Sequence, residues 1–111
     1  NTPIVNKKNI FLVSDNGYFI NIDKLTGKIV WSVNVLKKLK RRKQETQIAG
    51  FIIGSEKMYI TTLNGYLIVC SAVSGSVEYI KKIASGITTN PLISSGELYV
   101  LTDDTRILGF N

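Results

Sequence analysis

The stretch Phe11-Leu12-Val13-Ser14-Asp15-Asn16-Gly17-Tyr18-Phe19-Ile20 occurs three times in related form along this chain of 111 residues. A second copy begins 48 residues later at Tyr59, and a third begins 40 residues after that at Tyr99. Each copy places a short turn between two runs rich in β-branched and aromatic residues, which is the pattern of a β-hairpin. A unit that recurs at this spacing predicts a repeat architecture.

Further strands flank each hairpin. Alternating apolar residues predict four strands in the first copy, four in the second and three in the third. They lie near residues 3–5, 10–14, 17–23 and 28–33, then 49–53, 57–62, 66–71 and 77–81, then 89–94, 97–102 and 106–110. Four short antiparallel strands in about 40 residues are typical of a propeller blade. We therefore expect an all-β fold, a β-propeller fragment with four-stranded antiparallel blades at about 1–35, 48–83 and 87–111, the last without its fourth strand.

The connection between the first two predicted blades is longer than the next connection. Trp31 to Phe51 spans 20 residues, whereas Tyr79 to Pro91 spans 12. The extra residues form a basic interblade insertion at 36–47, which holds six cations within seven residues. These are Lys37, Lys38, Lys40, Arg41, Arg42 and Lys43. The rest of the chain carries eight basic and eight acidic residues, so the net charge of +6 comes from this run.

An insertion between blades forms a loop on one face, often the face that binds a partner. The basic run, residues 37–43, is therefore our candidate contact with an acidic protein surface or with an anionic membrane surface. A solvated loop without a partner is the alternative. Binding to the phosphates of nucleic acid is the interaction we expect least, so no nucleic-acid partner is predicted.

A tight turn followed by a tryptophan gives the most specific motif, in Asn21-Ile22-Asp23-Lys24-Leu25-Thr26-Gly27-Lys28-Ile29-Val30-Trp31. Asp23 and, more weakly, Thr26 can accept hydrogen bonds from the turn backbone, and Gly27 tolerates a positive φ. Trp31 needs an acceptor for its indole N–H if it is buried. The segment resembles the Ala-x-Asp-x-x-Thr-Gly-Lys-x-x-Trp motif of quinoprotein-type (PQQ-like) propellers, with Asn21 in place of the alanine.

This resemblance implies that Asp23, Thr26, Gly27 and Trp31 form a structural motif that docks one blade onto the next. The second copy carries a weaker form of the motif. There Gly75 is identical to Gly27, and Tyr79 stands in place of Trp31. We therefore assign Gly75 and Tyr79 to the same motif. Stacking of Trp31 on a quinone cofactor is the alternative.

The last residues of the chain make the resemblance to this family more specific. The chain stops at the third strand of its last predicted blade, after Thr89-Asn90-Pro91-Leu92 and Gly96-Glu97-Leu98-Tyr99. This resembles the C-terminal part of BamB-like lipoproteins of the outer-membrane β-barrel assembly machinery. The resemblance implies a C-terminal fragment of an eight-bladed propeller that acts as a non-catalytic scaffold. It further implies a periplasmic, outer-membrane-associated protein of a Gram-negative bacterium, with protein components of that machinery as partners.

The composition argues against several kinds of catalytic site. The chain has no histidine and a single cysteine, so it lacks the Ser-His-Asp and Cys-His arrangements and any intrachain disulfide. Apolar neighbours favour a buried, inert thiol for Cys70 over a reactive one. Asp103 and Asp104 occupy the third hairpin turn, which favours a turn role over calcium binding. We therefore assign no catalytic, cofactor-binding or metal-binding residue, and no cofactor.

Two other functions stay open at this point. The chain could be a fragment of a PQQ-dependent alcohol or sugar dehydrogenase, or a generic propeller interaction domain. Whichever holds, three blades cannot close a ring, and an open array leaves apolar faces and strand edges in water. We therefore expect the 111 residues alone to self-associate.

Overall fold

The computed structural model describes residues 3–38 and 47–110, and these form eleven β-strands and one short 3₁₀ turn, Val35–Lys38. In chain order the strands are β1 (Ile4–Val5), β2 (Asn9–Val13), β3 (Tyr18–Asp23), β4 (Ile29–Asn34), β5 (Ile48–Gly54), β6 (Lys57–Thr62), β7 (Tyr66–Ser71), β8 (Val77–Lys82), β9 (Leu92–Ser94), β10 (Glu97–Leu101) and β11 (Ile107–Phe110). The predicted all-β fold is confirmed.

Each strand pairs with its neighbour in sequence, and the strands group into three antiparallel sheets. The first sheet has the order β1-β2-β3-β4, the second β5-β6-β7-β8, and the third β9-β10-β11. We call them the first, second and third sheets. Sequential pairing follows from the short turns, since a connection of a few residues can only return the chain antiparallel to the strand it has left.

The turn of the central hairpin is built in the same way in all three sheets. A hydroxyl group on Ser14, Thr62 or Thr102 accepts a hydrogen bond of 3.0–3.1 Å from the amide four residues later. Gly17 and Gly65 then adopt φ values of +95° and +93°, which a residue with a Cβ avoids. In the third sheet Thr105 takes this place with φ +63°. The side-chain hydrogen bonds therefore define the turn even where the glycine is missing.

Two apolar cores lie between the sheets. The larger joins the first and second sheets, and its fully buried members include Phe19, Met58 and Ile60. The smaller joins the second and third sheets around Leu67 and Val100. Successive sheets therefore pack face to face through side chains that alternate along each strand, as sheet-on-sheet packing requires.

The outer face of the first sheet is the repeat equivalent of a fully buried surface. Met58, Ile60, Ile68 and Cys70 of the second sheet are 0 % exposed against the first sheet. Their equivalents on the first sheet are half-buried, and no other sheet of the described chain covers them. These equivalents are Ile10, Leu12, Ile20 and Ile22.

The strands agree with the predicted ones to within one residue at most ends, and β9 is the main exception. It spans Leu92–Ser94, whereas the sequence predicted a strand over 89–94. Pro91 lacks an amide hydrogen and cannot contribute to a ladder at this position. Asn90 instead packs against Gly50 of β5, where a Cβ would collide with the asparagine side chain. The residues before Leu92 therefore serve contact between sheets.

Within 3–38 and 47–110, no helical segment has the length and hydropathy to span a bilayer.

Candidate functional site

Trp31 lies between the first and second sheets. Its indole Nε1 donates a hydrogen bond of 2.8 Å to the carbonyl oxygen of Val73, in the turn between β7 and β8. The ring meets Phe19 edge-on at a centroid distance of 4.6 Å and lies 6.4 Å from Phe11. The half-buried indole thus uses its polar edge and much of its ring for contacts within the protein, which favours a docking role over stacking on a quinone.

Gly75 makes close approach of the second sheet to Trp31 possible. A Cβ on Gly75 would lie 2.7 Å from Trp31 Cε3, whereas a Cβ on Gly27 would meet nothing within 4 Å. The two glycines share a positive φ, +81° and +74°, because they close equivalent turns. Gly75 therefore has a packing role in addition to its backbone role.

Asp23 and Thr26 hold the turn that precedes Trp31. Asp23 Oδ1 accepts hydrogen bonds from the amides of Leu25 and Thr26 at 2.8 and 3.2 Å, and Thr26 Oγ1 accepts one from Lys28 N at 3.3 Å. In the second sheet Ser71 and Ser74 make the equivalent bonds. The hydrogen-bonding chemistry is therefore retained although the residues differ.

Tyr79 occupies the position of Trp31 in the second sheet but not its environment. Both residues sit one position from a β-bulge, since Trp31 pairs with Asn21 and Tyr79 with Val69 immediately before each register shift. Tyr79 is nevertheless 45 % exposed. The structure therefore brings Trp31 and Gly75 together between the first and second sheets, whereas Asp23, Thr26 and Gly27 hold the turn before Trp31 and Tyr79 stays exposed.

Asn21 stands where the motif has alanine, and its hydrogen bonding explains why a polar residue is tolerated there. It is 4 % exposed, and its Oδ1 accepts a hydrogen bond of 2.8 Å from Asn9 Nδ2 on the adjacent strand. A buried amide is stable only when it is paired in this way. The pair Asn9–Asn21 therefore replaces the small apolar residue of the motif with a polar link between β2 and β3.

The basic run lies mostly beyond the described residues. Lys37 is exposed, and of Lys38 the structure describes the backbone; Lys40, Arg41, Arg42 and Lys43 fall in the part left undescribed. Both flanks of the insertion lie at the end of the sheets that carries the central hairpin turns. Val35 N donates to Gly17 O, and Leu63 N donates to Gln47 O. The run is therefore attached at this hairpin end.

A second basic cluster lies at the opposite end of the first sheet and was not predicted from the sequence. Lys7 and Lys8 sit in the β1–β2 turn and Lys24 in the β3–β4 turn, and Lys24 N donates 2.9 Å to Lys8 O. They line an open cleft of about 620 Å³ together with Asn9, Asp23 and Leu25. The two turns are 16 residues apart in sequence, so a scan for charge runs does not join them. The predicted pairing of the second and third strands brings these two turns together, and this could have revealed the cluster.

The carboxylates for which contacts are described hold turns, form ion pairs or accept hydroxyl hydrogen bonds, as Glu97 does from Tyr99. Asp23 holds its turn, Glu78 pairs with Lys57, and Asp103 accepts a 3.1 Å bond from Thr88. Asp104 accepts from Thr102 and pairs with Arg106 at 3.0 Å, and these contacts keep the pKa of its carboxyl below the usual range. The described ranges contain no group of three His, Cys, Asp or Glu side chains able to hold a metal ion.

Cys70 is fully buried in the core between the first and second sheets, as predicted. Burial raises the pKa of its thiol to about 12, because the charged thiolate would lose its hydration there. The thiol is therefore protonated at neutral pH and unreactive in the folded state.

Solved structures with the same fold are propeller proteins of differing kinds. BamB from Moraxella catarrhalis superposes with a TM-score of 0.73 and 17 % identity over 99 % of this chain and 34 % of its own. Quinohemoprotein alcohol dehydrogenase from Comamonas testosteroni gives 0.69 and 19 % over 89 % of this chain and 16 % of its own. Sqt1 from Saccharomyces cerevisiae gives 0.78 and 17 % over 96 % of this chain and 29 % of its own.

These similarities confirm the β-propeller fold and its likeness to PQQ-like propellers and to BamB. The chain spans about a third or less of the length of each of these proteins. No family model and no curated protein matches the sequence. At identities of 17–19 % the likeness establishes the fold and leaves the function to be argued from the chain itself.

Proposed function

We propose that this chain is part of a non-catalytic PQQ-like propeller that serves as a protein–protein interaction scaffold. In its narrower form, the proposal is a BamB-like role in the assembly of outer-membrane β-barrel proteins, at the periplasmic side of the outer membrane. The similarity to BamB over 99 % of the chain supports the narrower form.

The scaffold proposal rests on one observation: the polar side chains around Trp31 hold the protein's own turns and sheets together. The indole of Trp31 links the first two sheets, and Asp23 and Thr26 hold the turn that precedes it. The residues described here do not fit a quinone site, because the indole packs on Phe19 and bonds to Val73, and the carboxylates serve separate turns, ion pairs and hydroxyl hydrogen bonds. A chain whose polar groups maintain its own architecture is suited to present a surface to a partner.

Two features offer such a surface. The hairpin end carries the insertion at 36–47, whose first side chain, Lys37, is exposed. The strands β4 and β8 lie at the edges of their sheets and pair on one side only among the described strands. A free edge can accept an extended segment of a partner as an added strand. Loop contact and strand addition are therefore the proposed modes of binding.

The test is affinity capture of the complete protein from a Gram-negative cell envelope, with the captured proteins identified by mass spectrometry. We expect components of the β-barrel assembly machinery. A variant with Lys37, Lys40, Arg41 and Arg42 changed to serine should capture less, and one with Lys81 and Lys82 changed to serine serves as the control. Recovery of other proteins without any barrel-assembly component contradicts the BamB-like role.

The dehydrogenase alternative has its own test. The structural similarity to a quinohemoprotein alcohol dehydrogenase favours it, and the lack of fit between the described residues and a quinone opposes it. The complete protein, incubated with pyrroloquinoline quinone and calcium, should not reduce an electron-accepting dye when alcohols or sugars are added. Quinone-dependent turnover would overturn the scaffold proposal.

A further inference from the structure

The end of the first sheet opposite the basic run concentrates positive charge. Outside that run the chain has eight basic residues, and four of them lie in two adjacent turns of this end. We call Lys7, Lys8, Lys24 and Lys28 the turn lysines. All four are exposed. The grouping arises because β2 and β3 are paired, so the turns before and after them come together.

The charge of the turn lysines is not neutralised within the described part of the chain. The ion pairs found there are Lys57–Glu78 and Arg106–Asp104, and neither involves a turn lysine. Asp23, whose Oδ1 accepts two backbone hydrogen bonds, lies in the same turn as Lys24 and offsets one of the four positive charges. Glu56, in the equivalent turn of the second sheet, borders the neighbouring cleft. An excess of positive charge therefore faces solvent.

Leu25 is an exposed apolar residue that lies among the turn lysines. It is 93 % exposed and lines the same cleft as Lys7, Lys8 and Lys24. Its repeat equivalent Val73, at the same end of the second sheet, is 67 % exposed. An apolar side chain at the tip of a turn gains nothing from the fold at this exposure. It gains free energy when an apolar phase takes it out of water.

The fold itself does not require these lysines. The equivalent positions in the second sheet are Ser55, Glu56, Ala72 and Ser76. The two turns there make the same backbone contacts, since Ala72 N donates 2.8 Å to Glu56 O as Lys24 N does to Lys8 O. The fold therefore does not account for the lysines of the first sheet, and we look for a binding partner outside the chain.

We propose that the end of the first sheet formed by the turn lysines and Leu25 docks on an anionic lipid bilayer. Lysine side chains contact the phosphates of the headgroups, each cation strengthening binding about fivefold. Leu25 enters the boundary between headgroups and acyl chains. Nucleic acid fits less well, because a phosphate backbone offers no apolar phase for an exposed leucine. An anionic bilayer therefore offers phosphates to the lysines and an apolar phase to Leu25.

This arrangement gives the molecule an orientation. The strands between the two ends have five or six residues, which corresponds to about 17–20 Å. With the turn lysines on the membrane, the hairpin end and the flanks of the insertion at 36–47 face away from it. The insertion is then free for a protein partner, which agrees with the proposed scaffold but does not depend on it.

The test is flotation of the full chain with vesicles of equal parts phosphatidylglycerol and phosphatidylcholine. Flotation separates bound protein from aggregates, which sediment. One variant carries Lys7→Ser, Lys8→Gln, Lys24→Ala and Lys28→Ser. A charge-matched control carries Lys37→Ser, Lys38→Ser, Lys40→Ser and Arg41→Ser. A third variant carries Leu25→Asn. Circular dichroism spectra should be the same for all, since the changes are confined to turns and to the insertion.

We expect the wild-type chain and the control to float, with binding that weakens as salt is added. Partitioning should fall on the order of 600-fold in the turn-lysine variant, at about fivefold for each of four cations, and on the order of 10-fold for Leu25→Asn. Loss of flotation in the control with retention in the turn-lysine variant overturns the proposal, and so does the absence of flotation for the wild-type chain. Binding to duplex DNA that depends on the lysines, with no effect of Leu25→Asn on flotation, would assign the cluster to nucleic acid instead.

Discussion

The indole Nε1 of Trp31 donates a 2.8 Å hydrogen bond to the carbonyl oxygen of Val73, 42 residues further along the chain and in the next sheet. This bond joins β4 to the turn of the second sheet that is the repeat equivalent of the turn before β4, since Val73 occupies in the second sheet the place of Leu25 in the first. The contact between successive sheets is thus specified by one aromatic residue and one turn backbone.

Trp31→Ala should destabilise the chain by about 2–3 kcal/mol, because it removes a half-buried aromatic ring and leaves the carbonyl of Val73 without its partner. Tyr79→Ala, at the same repeat position but 45 % exposed, should cost less than about 1 kcal/mol. Urea unfolding at one fixed protein concentration measures both. Equal losses for the two variants would show that Trp31 has no special role between sheets.

Gly75→Ala and Gly27→Ala form a second matched pair. Both glycines have a positive φ, so either substitution should cost about 1–2 kcal/mol of backbone strain. Gly75→Ala also forces a methyl group against Trp31 and Val33, which adds about 1–3 kcal/mol of overpacking. The difference in unfolding midpoint between the two variants is the measurement. It should become clearly smaller when Trp31 is already alanine, with the remainder due to Val33, and a difference that does not change there contradicts the proposed contact with Trp31.

Asp104 should make stability depend on pH in the acid range. Hydrogen bonding from Thr102 and the charge of Arg106 lower the pKa of its carboxyl in the folded state from about 3.8. The unfolded chain therefore binds this proton first as the pH falls, so stability is present above about pH 4 and is lost as the pH falls through the folded pKa.

Asp104→Asn is the informative variant, because Asn16 and Asn64 occupy the same turn position in the other two sheets. The amide can keep the hydrogen bond from Thr102 but cannot titrate. Unfolding midpoints compared between neutral and acid pH should fall less steeply for the variant than for the wild-type chain. Identical pH profiles would contradict the assignment.

The apolar outer face of the first sheet should drive self-association of the isolated chain. Ile10, Leu12, Ile20 and Ile22 are the equivalents of side chains that are completely buried in the second sheet. Size-exclusion chromatography with light scattering should give a mass above that of a monomer. Leu12→Glu with Ile20→Lys should reduce it, whereas the same charges at the exposed residues Ser85 and Ser76 should not. A monodisperse wild-type monomer contradicts this prediction.

The strands could be predicted from the sequence because the turns between them depend on local interactions. The hairpin turns depend on hydroxyl groups at Ser14, Thr62 and Thr102 and on residues that accept a positive φ, and all of these act over a few residues. The strand pattern therefore followed from spacing. The predicted strand over 89–94 was too long because the residues before Leu92 pack on a distant strand, at Gly50.

The sequence by itself determined the repeat, the antiparallel sheets and the turn that precedes Trp31, because each rests on contacts between near neighbours. The tertiary structure decided which acceptor the indole meets, why Tyr79 remains exposed, and why Gly75 is more constrained than Gly27. It also brought Lys7, Lys8 and Lys24 together around Leu25. These relationships join residues of different turns or sheets, and the packing of strands sets their distances.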